Sequence, residues 1–466
     1  MFVNRASELD LLEKRFASGT AELFVLYGRR RVGKTALLER FCEGKRSIFF
    51  ISDLGSEIFL RTALSSAVNA VLFGPDQMNA VYSTWEDLFQ ALAGAARIER
   101  LVVVLDEFPY LVTAHPPLAS ILQRVWDQTM KNSRIMLILC SSYIGMMEKT
   151  VLGYQAPHYG RRTSQYMLEP LQFKDAKLFC PSFDLEDQVR AYAVFGGTPA
   201  YLHTLQSKHT LQENILDGIL NRGSFLYDEV RFVLQQELRE PRNYFAILQA
   251  IAAGKTRLHE IKQTTGIEGA TAYLDTLQQL YLVERVVSVT ETQPQKSRRG
   301  IYRLKDHYLR FWFRYVQPNR SQLERDGAQI ILDNQVLPEI DHFTSLAFEE
   351  VCQQFLWRLG LSRRLPFIPI HIGRWWNANE EVDLVVLGEE DAILVECKWT
   401  SKAVGVDILA DLERKSNLMK PELGNRQVHF AMCSRSGFTP RLIQEAKQRQ
   451  ASCVVLWDLK EIAGQE

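Results

Sequence analysis

The sequence predicts a multidomain α/β protein, and three observations carry that prediction. Residues Gly28-Arg29-Arg30-Arg31-Val32-Gly33-Lys34-Thr35 fit the pattern G-x-x-x-x-G-K-[ST] and lie between an apolar run and a helical pattern. Three short amphipathic segments followed by two strand-like runs fill residues 241–316. Two further strand-like runs near the end carry Asp383, Glu396 and Lys398.

The first element is the run Leu23 to Tyr27, a buried strand that delivers the chain into the Gly-rich loop, with Ala36 to Phe41 continuing as a helix. In that context the N–H groups from Gly28 through Arg29, Arg30, Arg31, Val32 and Gly33 to Ala36 can cradle a nucleotide's phosphates. Gly28 and Gly33 let the backbone come close, Lys34 reaches the β/γ-phosphates, and Thr35 offers a hydroxyl to Mg²⁺. The chain is therefore expected to bind an NTP.

Such a loop needs a carboxylate strand beside it. Leu101 to Leu105 is five apolar residues, the pattern of a parallel strand buried on both faces, and Asp106-Glu107 emerge at its carboxyl end, about 70 residues after the loop. Asp106 is expected to hold Mg²⁺ directly or through water, and Glu107 to act as the base that orients the attacking water. A third strand, Ile135 to Leu139, ends in Cys140-Ser141-Ser142. Ser141 or Ser142 is placed to sense the γ-phosphate, and a plain Ser turn is the alternative. Tyr159-Gly160-Arg161-Arg162 offers a fixed positive charge of the kind that stabilises a transferring phosphoryl group, or else a solvated basic turn.

Strands alternate with helical patterns through residues 1–170, and Leu168-Glu169-Pro170-Leu171 closes that run. Residues 171–240 read as a helical lid, interrupted by the turn Phe195-Gly196-Gly197-Thr198-Pro199. Residues 241–320 read as a winged helix: helical segments Tyr244 to Ala252, Leu258 to Thr264 and Ala270 to Leu280, then strands Leu282 to Val289 and Gly300 to Leu304. Its hairpin tip carries Lys296, Arg298 and Arg299, suited to a DNA phosphate backbone. A protein–protein module with a solvated loop stands as the other reading. Tyr308 to Tyr315 is an aromatic run that fits a core-facing helix better than a base-stacking platform, and residues 320–340 read as a linker-like helical segment.

Residues 321–466 combine that segment with a second chemical constellation. Glu381 to Leu387 and Ala392 to Lys398 form a hairpin around Gly388 to Asp391. With a period of two, Glu396 and Lys398 share a face, and Asp383 can meet them across the hairpin. Two carboxylates then hold a divalent metal while the lysine steadies the attacking water or leaving oxygen, the arrangement for metal-assisted phosphodiester hydrolysis. Glu349, on the helical stretch Ala347 to Val351, is the choice for a third acid. Mg²⁺ or Mn²⁺ is the expected ion.

Composition bounds these readings. At 466 residues the chain has room for about three domains, and 46% hydrophobic with 24% charged is ordinary globular chemistry. Lys+Arg and Asp+Glu are both 55, so no overall field recruits nucleic acid or anionic membrane, and such contacts have to come from local patches. The start, Met1-Phe2-Val3-Asn4-Arg5, lacks a long apolar stretch, and no run approaches the ~20 residues that span a bilayer, so a cytoplasmic chain without a membrane partner is expected. Cys42, Cys140, Cys180, Cys352, Cys397, Cys433 and Cys453 are scattered without a C-x-x-C pair, which fits reduced thiols.

Together, Phe2-Val3-Asn4-Arg5 with Glu8-Leu9, the loop at 28–35, Leu105-Asp106-Glu107, Gly160-Arg161 and Phe195 to Pro199 resemble the prokaryotic, especially archaeal, AAA+/STAND-related ATPase family. The tail, with Gly373-Arg374-Trp375-Trp376 before Glu381-Val382-Asp383 and Glu396-Cys397-Lys398-Trp399, is similar to that family's usual C-terminal domain of unknown function, which has a PD-(D/E)xK nuclease-like fold. The resemblance spans nearly the whole chain. It implies an ATP-binding core, a lid, a winged helix and a nuclease-like module, often near mobile elements or defence genes, with Arg5 near the adenine and Arg161 near the γ-phosphate. Cys140 departs from it, standing where a small residue such as glycine is expected. Two functions follow as expectations: a metal-dependent DNA-processing protein controlled by ATP binding or homo-oligomer formation, and a non-cleaving ATPase switch whose C-terminal modules only hold DNA or a partner protein.

Overall fold

The structure is a computed structural model that describes residues 2–74, 81–154, 157–158, 160–238, 240–449 and 454–464; Tyr159 and Cys453 lie outside the described residues. It divides into two compact units, Met1–Pro170 and Leu171–Glu466.

The first unit is a P-loop NTPase-like α/β fold built on a five-stranded parallel sheet in the order β2-β3-β4-β1-β5. Its strands are β1 Glu22–Tyr27, β2 Ser47–Ile51, β3 Leu101–Asp106, β4 Ile135–Ser141 and β5 Ser164–Met167. Strand alternation divides the interior in two. Leu23 and Val25 of β1 and Val103 and Leu105 of β3 enter the core on one face, whereas Phe24, Leu26, Val102 and Val104 enter the core on the other. Each face needs a helical cover. The helix Trp85–Ile98 supplies one by burying Trp85, Leu88, Phe89, Leu92, Ala93 and Ala96 at three- and four-residue spacing. It starts at Thr84, whose hydroxyl accepts the Asp87 N–H at 3.1 Å, a cap worth about 1 kcal/mol. β5 went unrecognised in the sequence because its four residues are only partly buried and carry no alternating pattern.

The parallel arrangement sends the carboxyl ends of β1, β3 and β4 to one edge of the sheet, where the Gly-rich loop, Asp106 and Ser141 meet. Cys140 is fully buried against the face that includes Phe24 and Leu37, so the place where glycine was expected is filled by a small apolar thiol.

The second unit begins with short helices. Its helix Leu185–Phe195 ends at Gly196 (φ 69°), and Gly197 follows where a Cβ would stand 1.9 Å from the Leu171 carbonyl oxygen. That oxygen's own residue donates its N–H to the Gly197 carbonyl at 2.7 Å, so the close approach requires glycine. Helices Pro241–Ala252, Leu258–Thr265 and Ala270–Gln279 come next, followed by the antiparallel pair β6 Val283–Val286 and β7 Ile301–Leu304. β6 is shorter than the run to Val289 suggested. The chain leaves the hairpin because the Val289 N–H donates instead to the Arg374 carbonyl at 2.8 Å.

The aromatic run folds as the helix His307–Phe311 and one wider turn through Val316, with Tyr308, Phe311, Trp312, Phe313 and Tyr315 buried. The Trp312 indole donates to the Tyr227 carbonyl at 2.7 Å, so the segment faces a core. Residues 320–340 are helical but not a free linker, since Leu323, Ile331, Leu332 and Val336 are buried. They lead into the long helix Leu337–Leu361.

A separate sheet follows in the order β12-β11-β10-β9-β8, with β8 His371–Trp376, β9 Glu381–Leu387, β10 Asp391–Lys398, β11 Gln427–Ser434 and β12 Val454–Asp458. β9 runs antiparallel to both β8 and β10, and β10, β11 and β12 run parallel. The crossover from β10 to β11 is the helix Val406–Leu423, whose Leu409, Leu412 and Met419 pack in one core with Leu394 of β10. No helix among the described residues is long and apolar enough to cross a membrane.

Candidate functional sites in the two units

The helix Lys34–Cys42 begins at Gly33, whose φ of 94° turns the loop into the helix, and no side chain caps it. The helix dipole favours an anion at such a helix start. Gly28 is needed for another reason: a Cβ there would lie 2.4 Å from the Leu168 carbonyl oxygen after β5. Lys34 is 5% exposed, and its ammonium donates to the carbonyls of Gly28 (2.9 Å) and Arg29 (3.0 Å), across the mouth of its own loop.

The expected metal partners are brought together. The Thr35 hydroxyl donates to one Asp106 carboxylate oxygen at 2.7 Å, and the other accepts the Glu107 N–H at 3.0 Å. A hydroxyl and a buried carboxylate in contact are the hard oxygen donors that Mg²⁺ takes, so these residues fit the ion the loop implies. Glu107 sits in the left-handed region (φ 53°) at the start of the helix Phe108–Ala114, a conformation costing about 1–3 kcal/mol that recurs at functional positions. Its carboxylate accepts the Ser142 N–H at 3.1 Å and the Ser141 hydroxyl at 3.4 Å. Ser141 therefore faces Glu107, and its oxygen also accepts the Tyr143 N–H at 2.9 Å.

Around the loop, Arg30 donates to the Tyr110 hydroxyl at 2.9 Å and Arg31 adopts φ 70°. Val32 is fully buried, and its carbonyl accepts from Arg5 at 3.0 Å. Arg5 also reaches Glu8 (2.9 Å) and the Glu169 carbonyl (2.7 Å), so it pins the amino-terminal segment to the loop and to the chain beyond β5. Ala36 lies in the first turn of the loop's helix. Arg161 is committed elsewhere: its guanidinium donates to both Asp127 carboxylate oxygens at 2.9 Å and to the Pro157 carbonyl at 3.1 Å, holding Asp127 below the usual carboxylate range.

The second constellation assembles where β9 and β10 stop pairing, beyond Val395 and Leu384. The freed Cys397 N–H donates to the Asp383 carboxylate at 2.8 Å. Asp383, Glu349 and Lys398 line one cleft of about 500 Å³. Burial, then Glu396 and Glu349, push the Asp383 carboxyl up to about 7. Burial also raises Glu349, against the pull of Arg374 at 3.3 Å. Glu396 is 7% exposed; one of its oxygens is paired with the Lys398 ammonium, and the other is buried without a hydrogen-bond partner, 3.9 Å from Lys415. Burial opposes the charge on Lys398, yet Glu396 and Asp383 outweigh it and raise its pKa.

Glu396 and Glu349 both bear on Asp383, and one Glu396 oxygen is buried without a hydrogen-bond partner, but among the described residues the three carboxylates do not converge as ligand atoms within 4.8 Å of one another. Lys415 was missed from sequence. It sits on the helix Val406–Leu423 and pairs with Asp411 at 2.8 Å, an i,i+4 arrangement that looks like any solvated helix face until the fold turns it toward Glu396. Lys296, Arg298 and Arg299 are exposed on the segment joining β6 to β7.

Comparison with known proteins gives two family matches along the chain. Residues 2–205 match a family described as an ATPase domain predominantly from Archaea, and residues 312–412 match one described as "Archaea bacterial proteins of unknown function". The chain is 35% identical over 426 residues to the uncharacterized protein MJECL04 of Methanocaldococcus jannaschii, covering 90% of this chain and 92% of that one. A stretch of 46 residues is 54% identical to the uncharacterized ATP-binding protein MJ0423 of the same organism, covering 10% of this chain and 78% of that one. Among solved structures, the Walker-type ATPase PABY2304 of Pyrococcus abyssi aligns at a TM-score of 0.48 with 20% identity, over 67% of this chain and 96% of that one.

Proposed function

The chain belongs to the family of MJECL04, with an archaeal-type ATP-binding ATPase domain and a C-terminal domain of unknown function, and on that premise we propose that it is an ATP-controlled, metal-dependent DNA nuclease. The four proposed parts are the AAA+-like core (1–170), a lid (171–240), a winged helix (241–320) and a PD-(D/E)xK nuclease-like domain (321–466).

In the core, Lys34 and the loop's N–H groups bind the phosphates, Thr35 and Asp106 hold Mg²⁺, and Glu107 takes the proton of the attacking water while Ser141 and Ser142 orient its carboxylate. Arg5 borders the adenine side. For Arg161 to reach a γ-phosphate it has to exchange its Asp127 partner for it.

The observation that carries the nuclease reading is that Asp383, Glu349 and Lys398 line one cleft, with Glu396 paired to Lys398 and bearing on Asp383. A divalent cation, when bound, supplies Lewis-acid polarisation of a phosphodiester oxygen. Asp383 and Glu396 hold that charge in place, and Glu349 completes the acidic wall. Lys398 donates to the oxygen on which negative charge grows. Lys296, Arg298 and Arg299 carry the DNA backbone to this unit.

One observation favours the non-cleaving switch: Lys398 and Lys415 both face Glu396, so two ammonium groups already offset its charge. Nicking of supercoiled plasmid in Mg²⁺ or Mn²⁺, with and without ATP, by wild type beside Asp383→Ala separates the two. Cleavage by wild type alone supports the nuclease; equal cleavage by both, or none by either under any nucleotide condition, rejects it for the switch.

A further inference from the structure

Cys352, Cys397 and Cys433 come from three different elements, the helix Leu337–Leu361, β10 and β11, and are separated in sequence by tens of residues. Their sulfur atoms nevertheless all lie within 4.8 Å of one another. Cys397 and Cys433 stand in register on neighbouring parallel strands, and the helix above them brings Cys352 over both. All are buried, at 0%, 8% and 0% exposure. Three small apolar side chains would fill this space equally well; what they would not provide is three convergent sulfur donors.

We propose that these three thiols form a binding site for a soft, filled-shell divalent cation, Zn(II) or its analogue Cd(II). Three sulfurs bound to one such ion at about 2.3 Å stand roughly 4 Å apart, a separation the cluster already allows. Sulfur-only donation excludes the hard ions expected at the neighbouring carboxylates, which take oxygen. Each thiol loses its proton on coordination, so a divalent ion leaves one net negative charge and a monovalent ion two; burial favours the divalent case. Among the described residues, Cys397 also lines the cleft of Asp383 and Lys398.

The site is independent of the nuclease reading, yet joined to it by one bond: the Cys397 N–H is the donor that orients Asp383. A cation here ties the long helix to β10 and β11 at that residue.

The test is a titration of the full-length, reduced, chelator-treated chain with Cd(II), read by thiolate-to-cadmium charge-transfer absorption in the ultraviolet. The expected result is a band that saturates at one equivalent. It is lost in Cys352→Ala and Cys433→Ala and kept in Cys42→Ala, Cys180→Ala and Asp383→Asn. Cadmium NMR on the wild type, which needs no variant to fold, should show one resonance at a shift characteristic of three sulfur donors. No band in the wild type, a band that survives Cys433→Ala in a folded protein, or a resonance in the oxygen-donor range overturns the proposal. Asp383→Asn failing to cleave DNA while keeping the band would leave it standing.

Discussion

Asp383→Asn removes a charge that the folded chain holds at a cost, and the cost sets the size of the effect. The carboxyl is raised from an ordinary 3.8 to about 7, by burial first and then by Glu396 and Glu349. About three pKa units correspond to an upper figure of about 4 kcal/mol at ~1.36 kcal/mol per unit, and a carboxyl that stays partly open to water lowers the expectation to about 2–4 kcal/mol. The sign follows from proton counting. Between pH ~4 and pH ~7 the folded chain holds a proton that the unfolded chain has lost, so stability is full below pH ~4 and falls as pH rises through 7. Asparagine is neutral throughout and keeps an acceptor for the Cys397 N–H. In chelator at pH 8.5 the variant should therefore be more stable than wild type, with the transition of the second unit moved up by on the order of 5 °C; at pH 4.5 the gap should shrink to about 1 kcal/mol. Saturating Mn²⁺ should raise the wild type by about 2.7 kcal/mol at a hundred times Kd and leave the variant almost unmoved. Scanning calorimetry at the two pH values, with and without Mn²⁺, gives all four numbers. A variant that is no more stable than wild type at pH 8.5 would refute the argument.

Three further outcomes follow from the same geometry. Lys34→Ala should abolish tight ATP binding by calorimetry, whereas Glu107→Gln should keep ATP affinity within a few-fold and lower the hydrolysis rate by at least about 10². Alanine at Lys296, Arg298 and Arg299 together should flatten the salt dependence of duplex binding by about three in log–log slope, equally for all sequences; an unchanged slope removes this loop as the contact. Gly197→Ala should cost at least about 3 kcal/mol because its Cβ falls 1.9 Å from a backbone oxygen, while Gly94→Ala, in an open helical position, should be neutral or stabilise by up to about 1 kcal/mol in urea unfolding.

What could be read from sequence was local, and what escaped was tertiary. The Gly-rich loop and Asp106-Glu107 announce themselves because the chemistry needs a fixed spacing and because buried parallel strands leave five-residue apolar runs. Period-two alternation was enough to bring Glu396 and Lys398 to one face, and they are paired there. The strand Ser164–Met167 escaped because a short, half-buried edge strand leaves no pattern. β6 was overextended because Val287 to Val289 has strand composition, yet the Arg374 carbonyl competes for the Val289 N–H. Lys415 and the three cysteines could not be found at all: each joins its site only through the packing of the crossover helix or the long helix against the sheet. The Asp127 partner of Arg161 was invisible for the same reason.

The most direct measurement of the central claim is a single preparation of Lys398→Ala assayed for Mn²⁺ binding, ATP hydrolysis and plasmid nicking beside wild type. On the proposed reading, Asp383 and Glu396 would still hold the ion, and the ATPase site lies in the other unit, so metal affinity should stay within about tenfold and ATP turnover should be unchanged, while nicking falls by at least about 10² because the ammonium would act on charge developing in the transition state. Nicking by Lys398→Ala at the wild-type rate would contradict the account.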